Sequence, residues 1–249
     1  MADVTVDGQS GQVVGYLAVP GGSGPWPGVV VVHDVLGMSQ DLRNQADWLA
    51  SEGFLAIAPD LFHGRGPVVC MVSIMRQMRA RQGRCFNDID SVRSWLLARD
   101  DCTDKVGVIG FCMGAGLALL VAPNHGFNAS SVNYGTAPKD AYTADFLHHS
   151  CPIVASFGGQ DRNLPGAAAR LEGALTEVGV DHDVKEYPEA GHAFLNDHDR
   201  AGDKNPLFFS IMAKLVPGVS DYHEPSAQDA RRRIVAFFKG HLTPQAPAL

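Results

Sequence analysis

The chain has 249 residues, 45% of them hydrophobic and 19% charged, and a formal net charge of −7. Such a length suits one large α/β domain with a sizeable core. The acidic balance speaks against nucleic acid or an anionic membrane surface as the main partner.

The opening "MADVTVDGQS" lacks the basic end and apolar core of a secretory leader. No apolar run nears the roughly 18 residues that a membrane span needs. Five scattered cysteines (Cys70, Cys85, Cys102, Cys112 and Cys151) show no paired metal spacing. They favour reduced thiols in a cytoplasmic protein.

In chain order, "VTVDGQSGQVVGYLAVP" alternates about a Gly-Gln-Ser-Gly break and predicts a β-hairpin. "GVVVVHD" is a continuous apolar run, as expected of a strand covered on both faces of a parallel sheet. Ser39 to Glu52 has an acid-rich start and helical apolar spacing, ended by Gly53. "FLAIAPDLF" follows as strand, "NDIDSVRSWLLARD" as helix, "KVGVIG" as strand and "AGLALLVA" as helix. "FNASSVNYG" and "CPIVASFGG" read as strands, "GAAARLEGALTEVG" as helix and "HDVKEYP" as strand. "SAQDARRRIVAFFKGHL" is the closing helix. This alternation predicts a mostly parallel sheet between helices. No repeat, linker or composition shift divides the chain, so a single domain over 1–249 is expected. Two segments break the alternation: "VVCMVSIMRQMRARQG", with Met71, Ile74, Met75 and Met78 at helical spacing, and "LNDHDRAGDKNPLFFSIMAKLVPGVSDYHEP". Each is either a packing helix or cover over a pocket.

The chemistry centres on "KVGVIGFCMGAGLALL", a strand, a glycine turn and a helix. Its glycines match neither G-x-G-x-x-G nor a P-loop. They do match G-x-nucleophile-x-G, as Gly110-Phe111-Cys112-Met113-Gly114. Such an elbow lifts the thiol above the sheet edge and sets it at a helix N-terminus, whose partial positive charge favours thiolate. The Met113 amide would point at the same spot and could hold an oxyanion. The other four cysteines read as buried structural residues.

An elbow nucleophile needs a base and a group that orients the base, met later in the chain as acid and then histidine. "PIVASFGGQDRNLP" presents Asp161 just past a strand, with Leu164-Pro165 opening a helix. The same aspartate could instead be a turn or helix cap. "HDVKEYPEAGHAF" places His192 in a small-residue loop after the next strand. It is the one histidine of ten with that combination. The His192–His198 and Asp181–Asp183 spacings suit no metal, so none is expected.

"GFCMGAG", "GGQD", "AGHAF" and "VVVVHDVLG" together resemble the dienelactone hydrolase family of α/β-hydrolases. The resemblance runs from about Val29 through His192 and includes a terminal helix. It implies a Cys112–His192–Asp161 triad that cleaves small esters or lactones through a thioester, with no cofactor. It also implies an oxyanion hole from the Val35 and Met113 amides. Asp34 takes the place of a family glutamate that modulates the thiol, one methylene shorter. Asn196 stands where members that cleave dienelactone carry an arginine for the substrate carboxylate, so a different or less anionic substrate is implied, with Asn196 itself a candidate substrate contact. A second family arginine comes from the segment holding Arg76, Arg79, Arg81 and Arg84, which reads first as a solvated helix face. Phe208, Phe209 and Met212 would suit an apolar pocket wall. A monomer or small homo-oligomer is expected. The alternatives are a non-catalytic binding protein on the same scaffold and a thiol redox protein, the latter weakened by the lack of a C-x-x-C pair.

Overall fold

The computed structural model describes residues 1–65, 67–203 and 222–243, with backbone only at 67–69. The chain opens on an antiparallel hairpin of β1 (Ala2–Gly8) and β2 (Gly11–Ala18). It continues through β3 (Trp26–Val32), α1 (Gln40–Ser51), β4 (Leu55–Pro59), α2 (Pro67–Ala80) and α3 (Arg84–Leu97). Then come β5 (Cys102–Phe111), α4 (Met113–Leu120) and β6 (Ala129–Asn133). A 3-10 turn (Lys139–Tyr142) and the short α5 (Ala144–Leu147) lead to β7 (Ile153–Gly158), α6 (Ala167–Val178) and β8 (His182–Tyr187). The short α7 (His198–Ala201) and the closing α8 (Glu224–Leu242) complete the described chain.

The strands form one sheet in the order β1-β2-β4-β3-β5-β6-β7-β8. β2 runs antiparallel to β1 and to β4, and every pairing from β4 through β8 is parallel. The architecture is that of an α/β-hydrolase, a mostly parallel sheet with helices on both faces. Strand alternation explains how one apolar run serves two layers. Val30, Val32, Val106 and Val108 pack with residues of α2, α3, α4 and α6. Val29, Val31, Ile109 and Phe111 pack with residues of α1 and α8 on the opposite side.

α1 starts where Ser39 caps it by accepting the Leu42 amide at 3.1 Å. It buries Leu42, Ala46 and Leu49 at helical spacing. α2 packs through Ile74 and Met78, both buried, with Met71 and Met75 partly buried against the same core. Of the two readings open for that segment, packing helix is the one realised.

Three boundaries differ from expectation. α3 and β5 begin earlier, at Arg84 and Cys102, because Gly83 stands at positive φ just before the helix and Cys102 already pairs with Trp26. α6 begins at Ala167 rather than Leu164-Pro165, because Gly166 at φ 66° breaks the helical backbone just before it. The 3-10 turn and α5 carried no periodicity long enough to read. Phe208, Phe209 and Met212 lie outside the described residues. No described helix is long and apolar enough to cross a membrane.

The consequence for function lies at the C-terminal ends of β3 and β5. These strands are neighbours, but the chain leaves β3 toward β4 on one side and β5 toward β6 on the other. Connections diverging from adjacent parallel strands leave a crevice between them.

Candidate active site

Cys112 occupies the mouth of that crevice, between the last residue of β5 and the first of α4. Its backbone sits at φ 52°, ψ −113°, a conformation that costs a non-glycine residue about 1–3 kcal/mol. The turn is held because the Cys112 amide donates to Asn133 at 3.1 Å, while its carbonyl accepts the Gly116 and Thr136 amides at 3.2 Å each. The flanking glycines are steric requirements. A Cβ at Gly110 would lie 2.1 Å from the Gly114 carbonyl oxygen, and one at Gly114 would lie 2.3 Å from Val32 and 2.5 Å from His33 oxygens. The turn bearing the thiol and the loop after β3 are therefore in direct backbone contact.

Asp161 follows β7 and His192 follows β8. Asp161 does two jobs: one oxygen accepts the Asn163 amide at 2.9 Å, as in a turn-capping aspartate, and the other meets His192 Nδ1 at 2.6 Å. A carboxylate only accepts, so Nδ1 carries the proton. That leaves Nε2 facing the Cys112 sulfur at 3.1 Å. The two loops fit because β7 ends in glycine: a Cβ at Gly158 would lie 2.2 Å from the Gly191 carbonyl oxygen. Asp161 and His192 are 4% and 5% exposed, whereas Cys112 is partly open. Burial alone would push His192 down, but the sulfur's negative charge and the Asp161 hydrogen bond outweigh it and raise the ring to about 10.

The loop after β3 carries Asp34 and Val35. His33 is fully buried and spans the loop: its Nδ1 meets the Asp34 carbonyl at 2.6 Å and its Nε2 meets the Leu61 amide at 3.2 Å. A carbonyl accepts and an amide donates, so the ring is neutral with its proton on Nδ1. Burial lowers its pKa and keeps it neutral. Among the described residues, neither the Val35 nor the Met113 N–H has an acceptor.

Two expected contacts are not made. Asp34 was expected beside the thiol, yet its carboxylate takes the Leu36 amide at 2.7 Å and His198 Nε2 at 2.9 Å. Its two oxygens are bonded to its own loop and to α7, and no hydrogen bond joins them to the sulfur. Asn196, in the place of the family's substrate-binding arginine and so a candidate substrate contact, is 6% exposed and turned inward. It donates to Asp41 at 2.5 Å and accepts the Tyr134 hydroxyl. Tyr134, itself at φ 45°, sets its ring edge-on to His192 at 5.2 Å between centroids.

The arginine segment stays at the surface. Arg76 and Arg79 are exposed on α2, while Arg81 pairs with Asp140 at 2.5 Å and lies over the Phe146 ring. Arg84 sits 3.1 Å from His63 Nδ1 and 3.7 Å from Asp88. None of the four bonds to a triad residue. Among the described residues no cluster of three or more His, Cys, Asp or Glu could hold a metal ion.

The sequence reading missed His33, Asp41, Tyr134, His198 and Asp203. For His33 a signal existed, a histidine directly after a buried strand on the loop facing the nucleophile. The others are joined only by the fold.

Comparison with known proteins identifies the family. The profile of the dienelactone hydrolase family matches residues 13–242. A Yersinia pestis protein provisionally named carboxymethylenebutenolidase is 27% identical over 256 residues, 96% of this chain and 88% of that one. An Escherichia coli K12 protein of the same provisional name is 27% identical, covering 94% and 85%. Among solved structures, a Klebsiella pneumoniae protein provisionally named dienelactone hydrolase superposes with a TM-score of 0.74 at 25% identity, covering 95% of this chain and 97% of that one. The chain belongs to the dienelactone hydrolase family.

Proposed function

We propose that the protein is a cysteine hydrolase of small, neutral esters or lactones, acting through a thioester on Cys112. One observation carries this reading: the unbroken path from Asp161 to His192 at 2.6 Å and from His192 to the Cys112 sulfur at 3.1 Å. A nucleophile, a base and a group orienting the base within hydrogen-bond reach are the requirement for acyl transfer.

His192 Nε2 holds the proton given up by the Cys112 sulfur, leaving a thiolate, while Asp161 holds the opposite N–H and offsets the imidazolium charge. The sulfur attacks the acyl carbon, a C–S bond forms, and the carbonyl electron pair moves onto oxygen between the Val35 and Met113 amides. When the carbonyl reforms, the C–O bond to the alcohol breaks and the leaving oxygen takes the proton from His192. In a lactone that alcohol stays tethered to the acyl group. Water then gives a proton to His192 and attacks the thioester. The C–S bond breaks and the acid leaves, restoring the thiolate beside the protonated His192.

The preference for neutral substrates rests on Asn196, which stands where the family resemblance places a carboxylate-gripping arginine and is turned inward to Asp41 and Tyr134. A substrate carboxylate would find no bidentate arginine at that position. The His198 cation beside the site already meets two carboxylates, Asp34 and Asp203.

The experiment is acid-quenched mass spectrometry after mixing with p-nitrophenyl acetate. Acetylation of the Cys112 peptide, absent in Cys112→Ala, is the expected result. A non-catalytic binding protein would show no adduct, and an adduct on another residue would sink the thioester route.

A further inference from the structure

A second histidine stands beside the site, and the steps above do not use it. His198, on α7, has Nε2 2.9 Å from Asp34 and Nδ1 2.9 Å from Asp203. Carboxylates accept only, so meeting both requires a proton on each ring nitrogen, and the ring is a cation. Asp203 in turn accepts the Gln40 and Asp41 amides at 2.6 and 3.1 Å, at the start of α1. A chain of contacts thus runs from α1 through Asp203 and His198 to Asp34.

Asp34 contributes the carbonyl half of the peptide whose N–H belongs to Val35. In a trans peptide the two dipoles point in opposite directions, so anchoring one end aims the other. His33 anchors the Asp34 carbonyl oxygen. The Asp34 side chain fixes the same residue through Leu36 and His198. An unpaired Asp34 carboxylate would also repel negative charge developing at the neighbouring Val35 amide.

We propose that His198, bridging Asp34 and Asp203, is a positioning residue: it aims the Val35 N–H at the oxyanion and neutralises the Asp34 charge next to it. The inference rests on the reading of the crevice as an acyl-transfer site. The groups facing His198 are Asp34 from the loop after β3, Asp203 beyond α7, and Asp41 from α1. Burial lowers its affinity for the proton, but the hydrogen bond and charge of Asp34, the hydrogen bond of Asp203 and the charge of Asp41 raise it to about 9. The cation and its effect are therefore present below that pH and lost above it.

The test uses p-nitrophenyl acetate turnover across pH, with Cys112 alkylation by iodoacetamide as a readout that needs no turnover. His198→Gln should lower kcat roughly 10–100-fold with little change in KM, and Cys112 should still alkylate. His198→Arg, which keeps a cation able to meet both carboxylates, should recover most of kcat and retain it above about pH 9. Should His198→Gln fail to fold, Asp203→Asn removes the outer carboxylate alone and should move the alkaline loss of kcat to lower pH. Wild-type kcat in His198→Gln, or an alkaline limb unmoved in Asp203→Asn, overturns the proposal. Full activity in Cys112→Ala would instead overturn the acyl-transfer reading beneath it.

Discussion

Asn196, four residues past His192, donates its side-chain amide to the Asp41 carboxylate at 2.5 Å and accepts the hydroxyl of Tyr134. Because the Tyr134 ring packs edge-on against His192, the path Asp41–Asn196–Tyr134 buttresses the base from behind. Asn196→Ala leaves two buried polar groups short of a partner and should lower stability by about 1–3 kcal/mol in denaturant unfolding. Asn196→Arg should not create a grip for anionic substrates. Its guanidinium would start from a buried, inward-facing position, so a lowered KM for a carboxylate-bearing lactone would contradict this packing.

The backbone strain at Cys112 separates chemistry from stability. Both Cys112→Ala and Cys112→Gly remove the thiol, but glycine alone adopts φ 52°, ψ −113° without steric cost. Cys112→Gly should therefore melt above Cys112→Ala, by about 1 kcal/mol after glycine's greater unfolded-state entropy is counted. Thermal unfolding of the two inactive variants decides it, and equal melting would mean that the turn is unstrained.

Gly158 is placed to report on the histidine loop. A methyl group there would stand 2.2 Å from the Gly191 carbonyl oxygen, which is backbone and cannot rotate aside. Gly158→Ala should cost roughly 1–3 kcal/mol of stability and displace His192 from the sulfur. Its kcat should fall further than its melting temperature suggests. Unchanged kinetics would contradict the close passage of the two loops.

His198 gives stability a defined pH dependence. Its folded pKa is raised from 6.5 to about 9, so its ion pairs stabilise fully below the unfolded value and are lost as pH rises through the folded one. The difference in unfolding free energy between wild type and His198→Gln should thus be largest near pH 6 and shrink to little by about pH 10. A difference that grows with pH would have the opposite sign and refute the charged bridge.

Much of the fold was legible because its signals are local. Apolar runs such as Val29–Val32 marked buried strands, Ser39 and Gly53 bracketed α1, and the glycines around Cys112 marked a turn that no larger side chain fits. The residues brought together around the thiol followed chain order and strand ends, so Asp161 and His192 could be singled out. The supporting shell could not. Asp34 and His198 lie 164 positions apart and meet only because α7 folds back over the end of β3. The inward turn of Asn196 was equally hidden, since its partners Asp41 and Tyr134 come from two distant segments.

The most direct measurement is the rate of hydrolysis of dienelactone and a panel of neutral esters by wild type and Cys112→Ala, side by side. Turnover of neutral esters that vanishes in Cys112→Ala, with slower turnover of the anionic dienelactone, is the expected result. Equal turnover by the two proteins would contradict a thiol nucleophile at the elbow.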